Sequence, residues 1–343
     1  MTFDEVFTFE HLYKSYLIAR KGKRNKNSTA KYEVNAIEFT NYLLYQFKNN
    51  KYKIGKYKEF YVYEPKKRLI MSLPFKDRAV QHCLCDYYLE PLLEKSMIYD
   101  NYANRKNKGT HKALNRLENY FHKFYRKHKS DGYVLKCDIS KYFYSVNHDV
   151  LKNMISRYIK DRKILNFTFQ IIDSTENPGL PIGNQTSQWF AIFYMSCLDH
   201  FIKEKLHIKY YERYMDDFLL IHNDKEYLKY CKSEISNYVE NELKLKLNNK
   251  TQIFPLKNGV DFLGFHTYLT ETGKVIRKVR RNSKKGMNNK LKKFKKLCIK
   301  RKISKEQIDK SYNSWIGHVS HGNSYHLIKN MDKKYKEIFK DGD

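Results

Sequence analysis

Acidic residues are scarce in this sequence. Across 343 residues, 37 Asp and Glu stand against 67 Lys and Arg, a formal net charge of +30. Such an excess costs stability through self-repulsion unless a polyanion offsets it, and nucleic acid is the natural counterpart. An anionic membrane surface is the rival, but long apolar runs are missing too. The longest nearly uncharged stretch, Pro178 to Leu198, carries Asn184, Gln185, Thr186, Ser187 and Gln188 and makes a poor spanning helix, so no membrane partner is expected. The opening residues Met1-Thr2-Phe3-Asp4-Glu5 lack the basic start and apolar core of a secretory leader, which predicts a cytoplasmic location. Cysteines are few and scattered. Cys83, Cys85, Cys137, Cys197, Cys231 and Cys298 form no CxxC pair and no Cys/His array at zinc spacing, so they read as reduced core or surface residues. His318, His321 and His326 cluster without a nearby Cys or carboxylate pair and read as surface or nucleic-acid contacts. No internal repeat is present.

What is present is a large apolar and aromatic fraction, 41% and 15%, enough for a substantial core in two or three packed regions. Helical spacing runs through residues 4–20, 31–48, 76–95, 110–128, 148–160, 162–173, 187–206 and 225–246. Period-two patterning over 57–73, around Glu64-Pro65-Lys66-Lys67, predicts a β-hairpin with a basic tip. Tyr133-Val134-Leu135-Lys136-Cys137 reads as a buried strand ending at Asp138. A second hairpin spans 208–222 with its turn at Met215-Asp216, and short strands follow near 251–256 and 260–266. From Arg277 the chain becomes very basic, with helices near 283–300, 304–317 and 323–340. The composition shift near residue 270 is the best candidate boundary.

The sharpest local feature is Tyr214-Met215-Asp216-Asp217 between two apolar β-type runs. Adjacent Asp residues repel each other, and Asp is a poor strand former. The arrangement makes best sense around a cation. Phosphoryl transfer to a 3′-hydroxyl uses two Mg²⁺ ions about 4 Å apart, and Mg²⁺ takes carboxylate oxygens together with phosphate and water. A second carboxylate from another strand is then required, and Asp138 ends one. Either acid alone reads equally well as a solvated turn or a cap; together they form a candidate metal site.

With these in place, the sequence resembles the reverse transcriptases. The motifs occur in order over residues 10–270: Pro65-Lys66-Lys67-Arg68-Leu69-Ile70 with Lys76-Asp77-Arg78; Lys136 to Phe143; Gly179-Leu180-Pro181-Ile182-Gly183-Asn184-Gln185-Thr186-Ser187-Gln188; the Tyr-Met-Asp-Asp turn; Leu245 to Thr251; and Phe262-Leu263-Gly264-Phe265. The resemblance implies an α+β right-hand polymerase with an antiparallel palm sheet and a helical thumb. Fingers would come from 1–95 and 150–180, palm from 96–149 and 181–268, and thumb from 269–343. It implies an RNA-directed DNA polymerase, a nucleotidyltransferase using two Mg²⁺ ions, with Mn²⁺ as a substitute. Asp138, Asp216, Asp217 and the Ile139 carbonyl would hold the metals. Lys250 would protonate the leaving pyrophosphate. Arg68 would clamp the triphosphate with its planar fork, helped by Lys66. Phe143 would exclude a 2′-hydroxyl, while Ile182, Gly183 and Gln188 would complete the nucleotide site. Phe262, Leu263 and Gly264 would form the primer grip. Taken alone, Lys66 also reads as an exposed tip residue, Phe143 as core packing and Lys250 as one solvated lysine among many.

One motif departs from the commonest pattern of Gln-Gly followed by Ser-Pro. Here the positions read Ile182-Gly183 and Ser187-Gln188. That variant is similar to the polymerases of diversity-generating retroelements, as are Tyr13…Ala19-Arg20-Lys21-Gly22-Lys23-Arg24, Asp77-Arg78-Ala79-Val80-Gln81-His82 and Ser314-Trp315-Ile316-Gly317-His318. No retron-type Val-Thr-Gly element appears toward the C-terminus. This resemblance implies a bacterial or phage-encoded enzyme that copies a template-repeat RNA into cDNA with errors at adenines, for diversification of a target gene by mutagenic retrohoming. Its partners would be template RNA, cDNA, the RNA–DNA hybrid, dNTPs and a small basic accessory protein. The alternatives are another bacterial reverse transcriptase (defence-associated, retron-like or group II intron-like) and a catalytically silent RNA-binding scaffold, which the intact acids disfavour.

Overall fold

The computed structural model describes residues 1–63 and 66–339. The expected tip residues Glu64 and Pro65 lie outside them. The described residues form nine strands: β1 (Lys58–Val62), β2 (Arg68–Ser72), β3 (Tyr133–Asp138), β4 (Tyr210–Tyr214), β5 (Asp217–His222), β6 (Gln252–Pro255), β7 (Val260–Phe262), β8 (Phe265–Leu269) and β9 (Val275–Val279). They form an antiparallel β1-β2 hairpin, a four-stranded sheet in the order β4-β5-β3-β6, and a β7-β8-β9 sheet. Helices make up most of the remaining regular structure, so the chain is a mixed α+β protein.

The chain divides into two compact units: residues 1–107, 136–218 and 230–251 in one, and 108–135, 219–229 and 252–343 in the other. In the first unit, Tyr16, Ala19, Tyr32, Ala36, Phe75 and Ala79 pack into one cluster. Phe3, Phe7, Phe47 and Phe167 form a second, with ring centroids 4.6–5.9 Å apart. In the second unit, the basic C-terminal helices Arg281–Ile299, Lys305–Val319 and Tyr325–Phe339 bury Met287, Leu291, Phe294, Ile308, Tyr312 and Met331 against one another. Their lysines lie mostly on the outside, which explains how so basic a segment still folds.

Several elements differ from their expected bounds. The helix expected over 187–206 is interrupted: Gln185–Tyr194 ends at Met195, whose ψ is near zero, then Ser196–His200 and a π-helical turn follow. The helix expected over 4–20 breaks where Thr8 caps Phe9–Ala19 by accepting from the His11 amide. The strand expected over 260–266 is a hairpin, because Leu263 and Gly264 take left-handed conformations between β7 and β8. Its partner β9 went unforeseen, since three adjacent short strands do not announce their pairing in sequence. None of the six cysteines is in a disulfide, and four of them are buried. Among the described residues no helix is long and apolar enough to cross a membrane.

Candidate active site

The site in the first unit starts from the β4-β5 turn. Met215 adopts a left-handed conformation (φ 59°), so the chain reverses with Asp216 at the tip and Asp217 opening β5. Fully buried Arg213 braces this turn from inside. Its Nη1 donates to the Met215 carbonyl (2.8 Å), Nη2 to the Ile192 carbonyl (3.1 Å), and Nε to Asp199 Oδ1 (2.7 Å). Tyr211 Oη also donates to Asp199 Oδ1 (2.6 Å). Burial disfavours the Arg213 charge, yet Asp199 outweighs that and holds the guanidinium above its ordinary value. Nothing in the local sequence signalled either Arg213 or Asp199.

Asp138 ends β3, beside β5 in the sheet. Its backbone is clamped by the Leu245–Asn248 segment: the Asn248 amide donates to the Asp138 carbonyl (2.7 Å), the Ser140 amide to the Lys246 carbonyl (2.9 Å), and Ile139 bridges Leu247. That clamp brings Lys250 into electrostatic range of Asp138. The expected motif from Leu245 to Thr251 therefore has a structural role besides any proton transfer.

The three acids influence one another. Burial raises the Asp138 carboxyl above its usual value, opposed by Lys136, Lys66 and Lys250. Burial also raises Asp216; Asp138 adds to the rise, while Arg68 and Arg213 oppose it. Asp217 is pushed up to about 6, first by burial and then by Asp138 and Asp216, against the pull of Lys136. Lys136 Nζ donates to Asp217 Oδ2 (3.1 Å), and Asp217 Oδ1 is buried without a hydrogen-bond partner. Among the described residues, no three His, Cys, Asp or Glu side chains converge as a metal-binding group. Asp138 and Asp216 form a carboxylate pair in electrostatic range of each other, with Asp217 held beside them by Lys136. Such a pair still fits Mg²⁺, which takes one or two carboxylates and completes its shell with water and substrate phosphates.

The other expected residues fall as follows. Lys66 and Arg68 stand exposed on the β1-β2 hairpin and act electrostatically on Asp138 and Asp216 respectively. Phe143 is half-buried, edge-on to Tyr142 (5.8 Å), and its carbonyl accepts from the Leu180 amide (2.6 Å), which joins two of the motifs. Ile182 is half-buried; its carbonyl accepts from the Met71 amide of β2 (2.9 Å). At Gly183 (φ 136°) a Cβ would lie 2.7 Å from the Met71 carbonyl. The glycine thus admits the backbone of β2. Gln188 Oε1 accepts from Asn104 Nδ2 (2.7 Å). Phe262, Leu263 and Gly264 belong to the second unit, where Phe262 is buried opposite Phe265 and Leu263 and Gly264 form the β7-β8 turn. There His318 packs on Phe265 (4.9 Å), and His321 stacks on His111 (3.4 Å).

Comparison with known proteins agrees with this geometry. Residues 54–267, more than half of the chain, match the family described as reverse transcriptase (RNA-dependent DNA polymerase). No curated protein matches the sequence. Similar solved structures include telomerase from Candida albicans in complex with a fragment of telomeric RNA (TM-score 0.52, 14% identity, covering 84% of this chain and 55% of that one). Another is apo telomerase from Candida tropicalis truncated of its C-terminal domain (TM-score 0.50, 17% identity, 65% and 54%). The chain thus spans a little over half the length of these telomerases, and at such identities the likeness speaks for the fold, a right-hand polymerase. With Asp138 at the end of β3, Asp216 in the turn leading into neighbouring β5, and the family match across both, the chain belongs to the reverse transcriptases, the RNA-directed DNA polymerases.

Proposed function

We propose that this reverse transcriptase is of the diversity-generating type: it copies a template-repeat RNA into cDNA with errors at adenines, working with a small basic accessory protein. The observation that carries this reading is Ile182 in the place where the commonest reverse-transcriptase pattern has Gln, on a segment tied directly to β2 through Met71. A Gln there would offer hydrogen bonds to the incoming nucleotide or its surroundings; Ile offers shape alone, with a stiff χ1. Removing one polar constraint weakens discrimination by about 1 kcal/mol, or several-fold in selectivity.

In the proposed mechanism Asp138 and Asp216, assisted by Asp217 and the Ile139 carbonyl, would hold two Mg²⁺ ions, which would supply charge stabilisation for the attacking 3′-oxygen and the departing pyrophosphate. Lys136 neutralises Asp217 and keeps it beside the pair. Arg68 and Lys66 bind the triphosphate from the β1-β2 hairpin, and Lys250 delivers a proton to the leaving group. Phe143 excludes ribonucleotides. Gly183 and Gln188 shape the nucleotide site, while Phe262, Leu263 and Gly264 grip the primer. In this assignment residues 1–95 and 150–180 are fingers, 96–149 and 181–268 palm, and 269–343 thumb.

Primer extension on an RNA template, with errors scored by template base, tests the reading. The expected result is misincorporation concentrated opposite adenine. Ile182→Gln should lower it there, with smaller changes opposite the other bases and activity retained. Uniform errors in the parent protein would assign the chain to another class of reverse transcriptase. An unchanged adenine error rate in an active, folded Ile182→Gln protein would remove this residue as the cause.

A further inference from the structure

A polar recess of about 250 Å³ lies in the first unit beside the expected nucleotide residues Gly183 and Gln188. Its walls come from Lys23 in the basic loop after helix Phe9–Ala19, from Arg78, Gln81 and His82 on helix Phe75–Leu84, and from Asn184 and Gln185. Two cations face it. Burial, then Arg78 and Lys26, hold the Lys23 ammonium below its ordinary value, and burial alone lowers Arg78. The charges acting most on Lys23 are themselves positive, so an anion is the missing counterpart.

Phosphate by itself does not complete the site. Gln81 and Asn184 are only 3% and 2% exposed, and Gln81 Oε1, Asn184 Oδ1 and Arg78 Nε have no hydrogen-bond partner. Asn184 Nδ2 is already committed to Tyr57 Oη (2.8 Å), which leaves its oxygen as the free end. Unpaired buried acceptors are costly, and they repel an all-acceptor anion. The matching ligand carries a negative group and, a few ångströms away, a hydrogen-bond donor. A ribonucleotide has both, in its phosphate and its 2′-hydroxyl. A base edge also donates, but its pattern changes with sequence, and a template track must pass all four bases. The 2′-hydroxyl is common to all four and absent from DNA.

We propose that this recess holds one ribonucleotide of the template strand, with its phosphate against Lys23 and Arg78 and its 2′-hydroxyl donating to the amide oxygen of Gln81 or Asn184. The proposal rests on the polymerase reading of the same site. It makes Gln81 and Asn184 the residues that distinguish an RNA template from a DNA one.

The test is equilibrium binding of the full chain to primer–template duplexes whose single-stranded template overhang is RNA, DNA, or RNA with one 2′-deoxynucleotide at successive positions. The unaltered protein should prefer the RNA overhang, and one deoxy position should account for most of the loss. Gln81→Leu should remove about tenfold of that preference and erase the effect of that position. Lys23→Ala should weaken both overhangs alike and flatten the salt dependence by about 0.7 in slope. A flat deoxy scan on the unaltered protein overturns the proposal even where Gln81→Leu does not fold. So do folded Gln81→Leu and Asn184→Leu proteins that both keep the full preference. Failure of the polymerase reading would show separately, as no nucleotide addition on any template, while the binding preference remained measurable.

Discussion

Arg213 and Asp199, both fully buried, form an ion pair beneath the acidic turn, and the same guanidinium donates to the Met215 carbonyl that shapes it. The pair therefore links stability to the position of Asp216. Breaking a buried pair leaves one charge uncompensated, a loss of about 3–5 kcal/mol. Asp199→Ala or Arg213→Ala should lower the denaturant midpoint accordingly. Replacing both with apolar residues of similar volume should recover much of the stability but little of the nucleotide addition. Full activity in that folded double variant would show that the brace does not position the turn.

Asp138→Ala and Asp216→Ala should each reduce divalent-ion-dependent extension by at least about a hundredfold, the scale of losing one focused electrostatic contact in a site of this kind. RNA binding should persist, because it comes from distributed Lys and Arg contacts and falls steeply with salt. Extension assays paired with binding titrations separate the two effects. Substantial polymerisation by either variant would end the two-acid assignment.

Phe143→Ala should open the nucleotide site to a 2′-hydroxyl. Ribonucleotide incorporation relative to deoxyribonucleotide should rise by about 10-fold to 100-fold, in line with what one apolar contact can discriminate. Competition between rCTP and dCTP on one template checks this. An unchanged ratio would return Phe143 to ordinary packing against Tyr142.

The histidines of the second unit predict a pH response. Burial, then His321, lowers His318, and burial, then His321 and His318, lowers His111. A histidine whose folded value is depressed binds its proton more readily when unfolded. These groups therefore cost nothing well above the ordinary value of 6.5 and destabilise the fold as pH falls below it. As pH falls below about 6.5, thermal unfolding should show the parent protein losing stability relative to His318→Gln. A steeper slope in His318→Gln would reverse the sign argued here.

The sequence by itself determined the chemistry. Asp216 and Asp217 in a turn between apolar strands, and Asp138 at the end of another, were legible because strand patterning and turn chemistry are local. The excess of Lys and Arg announced a polyanionic partner for the same reason, since charge needs no contact map. Tertiary structure alone decided what holds those acids in place. Lys136 meets Asp217 across 81 positions of chain, Asn248 clamps Asp138 across 110, and Met71 reaches Ile182 across 111. Such pairings depend on strand register and on which side chains are excluded from water together, and no short window of sequence carries either. The same holds for the recess of Lys23, Arg78, Gln81 and Asn184, whose unpaired atoms exist only because three distant segments bury one another.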